Sequence, residues 1–204
     1  MKKTIRNFIF DWGGVLVDVD KKRSIEAFKQ LGLVQADQWI GDYKQSGVFA
    51  ELERGEISAE VFCRRIRHMA QETMTDQQII EAWNAMLGEV LPWKLEMLLS
   101  LRKRYLVYLL SNTNAIHWDV ACKRLFRYRG FDVNDFFEEI YLSFQMHLEK
   151  PSREIFQATL NCAGLLPGET MLIDDSPANC EAAEALGIQV YCPKPGEDWR
   201  HLFE

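Results

Sequence analysis

An α/β fold, a parallel sheet with a bundle of helices inserted into it, follows from three observations. Short, unbroken apolar runs recur along the chain and close on polar residues: Phe8-Ile9-Phe10 before Asp11, residues 106–110 before Ser111-Asn112-Thr113-Asn114, and residues 171–173 before Asp174-Asp175. Such runs suit strands buried on both faces of a parallel sheet, whose carboxyl ends are where an open sheet binds ligands. Helical periodicity separates most of these runs, as right-handed crossovers require. Between the first strand and about Leu87, in contrast, helix follows helix with no strand pattern, which predicts a small inserted bundle.

The first strand delivers Asp11 to a loop whose Gly13 and Gly14 lack a Cβ and so admit a small charged group close to the backbone. An Asp before two glycines is also an ordinary turn. The polar ends of the later strands make Asp11 a candidate for chemistry. Asp20 can cap a helix carrying Ile25, Phe28 and Leu31, with Gly32 as its stop. Trp39, Ile40 and Tyr43 predict a second helix, and Val61, Phe62, Ile66 and Met69 a third beginning after Ser58. Ile79, Ile80, Trp83, Met86 and Leu87 predict a fourth, opened by a capping box of Thr75 and Gln78. Trp39, Tyr43, Phe49 and Trp83 are expected to fill the bundle core, and Glu53, Arg54 and Glu56 to be solvated charges in a turn.

Pro92 fits the first turn of a helix carrying Leu95, Leu98, Leu99 and Leu101. After the strand at 106–110 comes an aromatic helix around Trp118, Leu125 and Phe126, then a short strand at 140–142. Lys150-Pro151 opens a helix with Ile155, Phe156 and Leu160 that Gly164 closes. The strand at 171–173 leads through Asp174-Asp175 to a helix from Pro177 to Gly187, and residues 188–191 complete the sheet.

A chain of 204 residues can form one sizeable core or a core with a small second domain. A net charge of -6 argues against a nucleic-acid or anionic membrane surface and predicts a small-molecule partner. Five cysteines without CxxC spacing read as buried free thiols of a reducing compartment. With neither a signal-peptide core nor a membrane-length apolar run, a cytoplasmic protein is expected.

Four segments, Phe10-Asp11-Trp12-Gly13-Gly14-Val15-Leu16, Leu110-Ser111-Asn112-Thr113-Asn114, Lys150-Pro151 and Ile173-Asp174-Asp175-Ser176, together resemble the four motifs of the haloacid dehalogenase superfamily, and the likeness spans nearly the whole chain. Val17-Asp18-Val19-Asp20, Glu53-Arg54-Gly55-Glu56-Ile57-Ser58 and Ser111-Asn112-Thr113-Asn114 are similar, more narrowly, to bacterial sugar-1-phosphate phosphatases. The resemblance implies a Rossmann-like sheet of order 3-2-1-4-5 built from residues 1–16 and 90–204, with residues 17–89 as a helical cap. It also implies a magnesium-dependent phosphatase acting on a small phosphorylated substrate, as a monomer or weak homodimer. In that family likeness Asp11 is the nucleophile that forms an aspartyl phosphate. Asp11, the Gly13 carbonyl and Asp175 bind magnesium directly, and Asp174 does so directly or through water. Ser111 and the Asn112 backbone amide hold the transferred oxygens, and Lys150 is a phosphate-binding point charge. The cap loop makes Glu53 and Arg54 candidates for substrate contacts. The chemistry is consistent, since converging carboxylates repel one another unless a hard divalent cation with oxygen ligands neutralises them.

The sequence departs from the family at Gly13, where most of these phosphatases carry a second Asp as general acid. General acid catalysis contributes about 10²- to 10⁴-fold, so its loss favours the less basic leaving group of an anomeric phosphate, unless His117, Asp18 or a cap residue substitutes. His117 and His147 otherwise read as surface or packing histidines. Two alternatives are a metal-free 2-haloacid dehalogenase and a non-catalytic binding protein. The acidic pair Asp174-Asp175 argues against the first, and the presence of both Asp11 and Lys150 argues against the second.

Overall fold

The computed structural model describes residues 4–41, 45–70, 74–194 and 196–203. In chain order the elements are β1 (Asn7–Phe10), β2 (Val17–Val19), α1 (Lys21–Gln30), α2 (Gly47–Glu53), α3 (Ala59–Ala70), α4 (Asp76–Asn84) and β3 (Leu87–Val90). There follow α5 (Pro92–Leu101), β4 (Leu106–Ser111), α6 (Ala115–Val120), α7 (Val133–Phe136), β5 (Glu139–Leu142), α8 (Ser143–Met146), α9 (Arg153–Ala163), β6 (Thr170–Ile173), α10 (Pro177–Glu184) and β7 (Gln189–Tyr191).

Five parallel strands pair in the order β5-β4-β1-β6-β7, which is 3-2-1-4-5 when only the strands of this sheet are counted. β1 is central because its side chains are apolar on both faces. Phe8 and Phe10 pack in the larger core with Val107 and Leu109, and Ile9 in the other core with Tyr108, Leu110 and Leu172. Phe10 pairs with Leu109 on one side and Ile173 on the other, so Asp11 emerges between the ends of β4 and β6. The Asp11 N–H donates to Ile173 O at 2.9 Å, which brings Asp11 beside the acidic pair.

The inserted helices gather around four rings, Phe28, Phe49, Phe62 and Trp83, all fully buried, with Phe49 and Trp83 centroids 4.9 Å apart. Asp20 caps α1 through the Lys22 N–H, and Thr75 and Gln78 form the expected capping box on α4. Several expectations need correction. β2 and β3 form an antiparallel ribbon at the foot of the insert, where no strand was expected, and α4 stops at Asn84. Trp39 and Ile40 follow a single 3-10 turn, Ala36–Gln38, and the second helix is instead Gly47–Glu53. Tyr43 lies outside the described residues. The aromatic helix around Trp118 and Leu125 ends in a π-helical turn, Ala121–Leu125, which Phe126 caps. All five cysteines are free, but only Cys63 and Cys180 are buried, whereas Cys162 and Cys192 are exposed. Among the described residues no helix is long and apolar enough to cross a membrane.

Candidate active site

Four strand ends and loops meet at the carboxyl edge of the sheet. The Lys150 ammonium lies 2.9 Å from Asp11 Oδ1 and 2.6 Å from Asp174 Oδ2, and also donates to Leu110 O at 3.0 Å. Asn112 fixes the lysine from the main chain: its Oδ1 accepts from Lys150 N–H at 2.8 Å, and its Nδ2 donates to Lys150 O at 2.8 Å. Asp174 is fully buried. Its carboxylate takes further donors from the Ser176 N–H at 3.0 Å and Asn179 Nδ2 at 2.9 Å. Asp11 Oδ1 accepts from the Trp12 N–H at 2.7 Å as well as from Lys150, so Oδ2 is the oxygen without a donor among the described residues. Gly14 is required twice: its φ is +76°, and a Cβ there would lie 2.1 Å from Asp175 Oδ2.

Burial raises the Asp11 pKa to about 7, against the Lys150 ammonium and with help from the charges of Asp174 and Asp175. Asp175 is raised too, first by burial and then by Asp174. Burial works against the Lys150 ammonium, but Asp11 and Asp174 outweigh it and hold its pKa at about 12. Ligand oxygens of Asp11, Asp174 and Asp175 all lie within 4.8 Å of one another. One ammonium among three carboxylates leaves the cluster about two charges short of neutral, and that deficit and the all-oxygen donor set fit a hard divalent cation.

Above this base opens a cavity of about 600 Å³, with Asp11, Gly13, Asn112, Lys150 and Asp175 on its wall. The insert contributes Lys21, Gln45 and Glu53, and α6 contributes His117. Ser111 is buried at the end of β4 and Asp174 lies behind Lys150; neither is among the residues lining the cavity. Arg54 forms a two-pronged pair with Glu56 at 2.6 and 2.9 Å and is also absent from the wall. Asp18 has a largely exposed side chain that does not line the cavity either.

His117 lines the cavity but has both ring nitrogens engaged. Asn114 Oδ1 accepts from the Ile116 and His117 N–H groups, so its Nδ2 must face His117 Nδ1, which accepts at 3.2 Å. Nε2–H therefore donates to Trp83 O at 3.1 Å. Burial lowers the His117 pKa to about 4, so the ring is a neutral strut stacked on Trp83 and not a proton donor. His147 donates from Nδ1 to Arg54 O at 3.0 Å. Sequence reasoning overlooked Lys21 and Gln45. Lys21 follows a helix cap and Gln45 an irregular segment, and neither position carries a periodic or motif signal.

A model of the haloacid dehalogenase-like hydrolases matches residues 5–187. A D-ribitol-5-phosphate phosphatase from Bacteroides thetaiotaomicron is 39% identical over 196 residues, covering 96% of this chain and 95% of that protein. Among solved structures, a HAD family enzyme from Bacteroides thetaiotaomicron in complex with magnesium and inorganic phosphate has 46% identity and a TM-score of 0.92, covering 98% of this chain and 100% of that one. A HAD-like family hydrolase from Porphyromonas gingivalis has 36% identity and a TM-score of 0.91, covering 98% of this chain and 96% of that one.

Proposed function

The chain belongs to the haloacid dehalogenase-like hydrolases, and from that premise we propose that it is a magnesium-dependent phosphatase that hydrolyses a phosphate monoester of a small sugar or sugar alcohol through an aspartyl phosphate. The observation that carries this reading is the cluster of Asp11, Asp174 and Asp175 around a single buried lysine at the base of a cavity. Asp11, Asp175 and the Gly13 carbonyl would hold magnesium, whose charge there offsets the repulsion between a phosphate dianion and the carboxylates. Asp11 Oδ2 attacks phosphorus, the Asp11–phosphorus bond forms, and the ester bond to the sugar oxygen breaks. Lys150 adds positive charge beside the transferred oxygens, and the backbone N–H of Asn112 holds them, while Ser111 lies buried at the end of β4 and off the cavity wall. Asp174, its oxygens already taken by Lys150, Ser176 and Asn179, serves as a positioning residue for Lys150. Water then cleaves the aspartyl phosphate and frees phosphate. Residues 17–89 act as a cap that keeps bulk water away during transfer. A metal-free dehalogenation would leave the negative excess at the base without a counter-charge.

The named relative acts on a 5-phosphate, a primary ester with an ordinary alkoxide leaving group, and this supports an acyclic sugar-alcohol phosphate as substrate. A second reading, a sugar 1-phosphate, is favoured by Gly13, which supplies no general acid. Phosphate release from D-ribitol 5-phosphate and glucose 1-phosphate, with and without magnesium, separates the two by kcat/KM. Asp11→Asn keeps the shape of the side chain and removes its charge, so turnover should fall by several orders of magnitude; near-native turnover in that variant refutes the mechanism.

A further inference from the structure

We infer that Glu53 reads the hydroxyl groups of an uncharged carbon chain and turns away substrates whose far end carries a second anion. This deepens the phosphatase reading and rests on it. Glu53 ends α2, and its backbone is fixed against the body of the protein. Ser143 Oγ lies 2.8 Å from Glu53 O, His147 donates to the next carbonyl, and a Cβ on Gly55 would sit 2.0 Å from Phe144 O. The side chain therefore starts from a rigid point and ends half-buried on the cavity wall.

Among the described residues the Glu53 carboxylate has no hydrogen bond or ion pair of its own. Arg54, its chain neighbour, is taken by Glu56, and Lys21, whose field offsets the carboxylate, donates Nζ to Gly41 O at 2.6 Å. Burial, with Glu149 adding to it, pushes the Glu53 pKa up to about 7. A carboxylate kept from water without donors is unfavourable, and hydroxyl groups are donors that relieve it without bringing charge.

The surrounding wall suits such a ligand. Gln45 Oε1 accepts from the Gly41 N–H at 3.2 Å, which leaves its amide N–H groups without a partner among the described residues. A free donor and a free acceptor on one wall match hydroxyls, which both give and take hydrogen bonds. Away from the base, the wall carries Asp20, Lys21, Lys22, Glu53 and Glu149, with no arginine among the described residues. A second phosphate or a carboxylate at that end meets the charge of Glu53 and, among the described residues, no planar fork to bind it.

The test uses the full chain with magnesium and three substrates: p-nitrophenyl phosphate, which has no polyol chain; D-ribitol 5-phosphate, a neutral chain; and gluconate 6-phosphate, an anionic chain. Glu53→Ala removes the acceptor, so kcat/KM for ribitol 5-phosphate relative to p-nitrophenyl phosphate should fall about tenfold, mainly through KM. Glu53→Gln keeps an acceptor and removes the charge, so gluconate 6-phosphate should gain about tenfold against ribitol 5-phosphate. Glu60→Gln, the same charge change on α3 outside the cavity, should move neither ratio. Both ratios within about twofold of native in the Glu53 variants would overturn the inference. If the native chain cleaves none of the three substrates, the phosphatase reading fails. Calorimetric binding of D-ribitol 5-phosphate to Asp11→Asn, with and without Glu53→Ala, then decides Glu53 separately: about tenfold weaker binding supports it and equal binding overturns it.

Discussion

Replacing Gly14 with alanine puts a methyl group where the Asp175 carboxylate now lies. The new Cβ would be 2.1 Å from Oδ2 and 2.4 Å from Cγ, so the carboxylate must withdraw by more than about 1 Å to restore van der Waals separation. Alanine must also adopt a φ near +76°, which costs about 1–2 kcal/mol for a residue with a Cβ. Gly164 isolates that second effect, because its φ is +64° and a Cβ there meets nothing within 4 Å. Gly164→Ala should lower Tm by roughly 2–8 °C, from about 2–4 °C per kcal/mol for a chain of this size, and leave turnover intact. Gly14→Ala should lose at least as much stability and, beyond that, most of its magnesium response. Saturating magnesium at about 100 times Kd stabilises a native site by about 2.7 kcal/mol, and a displaced Asp175 removes much of it. A carboxylate misplaced by about 1 Å is also enough to slow transfer about 10²-fold. Thermal unfolding with and without magnesium, together with phosphate release, measures all three effects. If Gly14→Ala matches Gly164→Ala in Tm, in magnesium response and in turnover, Asp175 has no part in metal binding.

Lys150→Met leaves Asp11 and Asp174 without their shared counter-charge, so the metal-free protein should lose about 3–5 kcal/mol at neutral pH; an unchanged urea midpoint contradicts this. Gly13→Asp should fold, since Gly13 is not in the left-handed region and its Cβ would lie 3.4 Å from Val19 Cγ2. It should raise kcat/KM for D-ribitol 5-phosphate relative to glucose 1-phosphate, and a ratio that stays fixed in a folded variant rules out a leaving-group role. Glu53 ionises near pH 4.5 when unfolded and near pH 7 when folded, so the folded state binds the extra proton in that window and stability falls as pH rises through it. Glu53→Gln removes this penalty: about 3 kcal/mol in full, reduced to about 1–2 by the exposure of the side chain. Its Tm should exceed the native value at pH 8 and match it near pH 4, and equal shifts at both pH values would show that the carboxylate is not strained.

The sheet was legible because each core strand is an apolar run closed by a polar group, a pattern that needs no knowledge of distant residues. Asp11, Ser111 and the acidic pair stood at those closures, and Lys150 stood before Pro151 at the opening of the next helix. The ribbon of β2 and β3 was not legible: Val17-Asp18-Val19 and Leu87-Gly88-Glu89-Val90 are each too short to signal alone, and they pair across the whole insert. Trp39 and Ile40 suggested a helix, but the chain makes only one 3-10 turn before Trp39, and the helix that packs Val48, Phe49 and Leu52 lies further on. Glu53 read as a solvated charge because nothing in its neighbours along the chain shows which way α2 is turned. Its setting depends on Ser143 and His147, residues some 90 positions away.

The insert meets the body of the protein through main-chain oxygens: Glu53 O faces Ser143, Arg54 O accepts from His147, and Trp83 O accepts from His117. Every residue type supplies the same carbonyl, so the attachments at residues 53 and 54 do not depend on the side chains there, whereas Trp83 also stacks its ring on His117. Exchanging the side chain of residue 53 can therefore alter what the cavity admits while the attachment at its carbonyl stays the same. Recognition and docking are separable traits in this architecture, and a lineage or a designer can change the first by point substitution without having to rebuild the second.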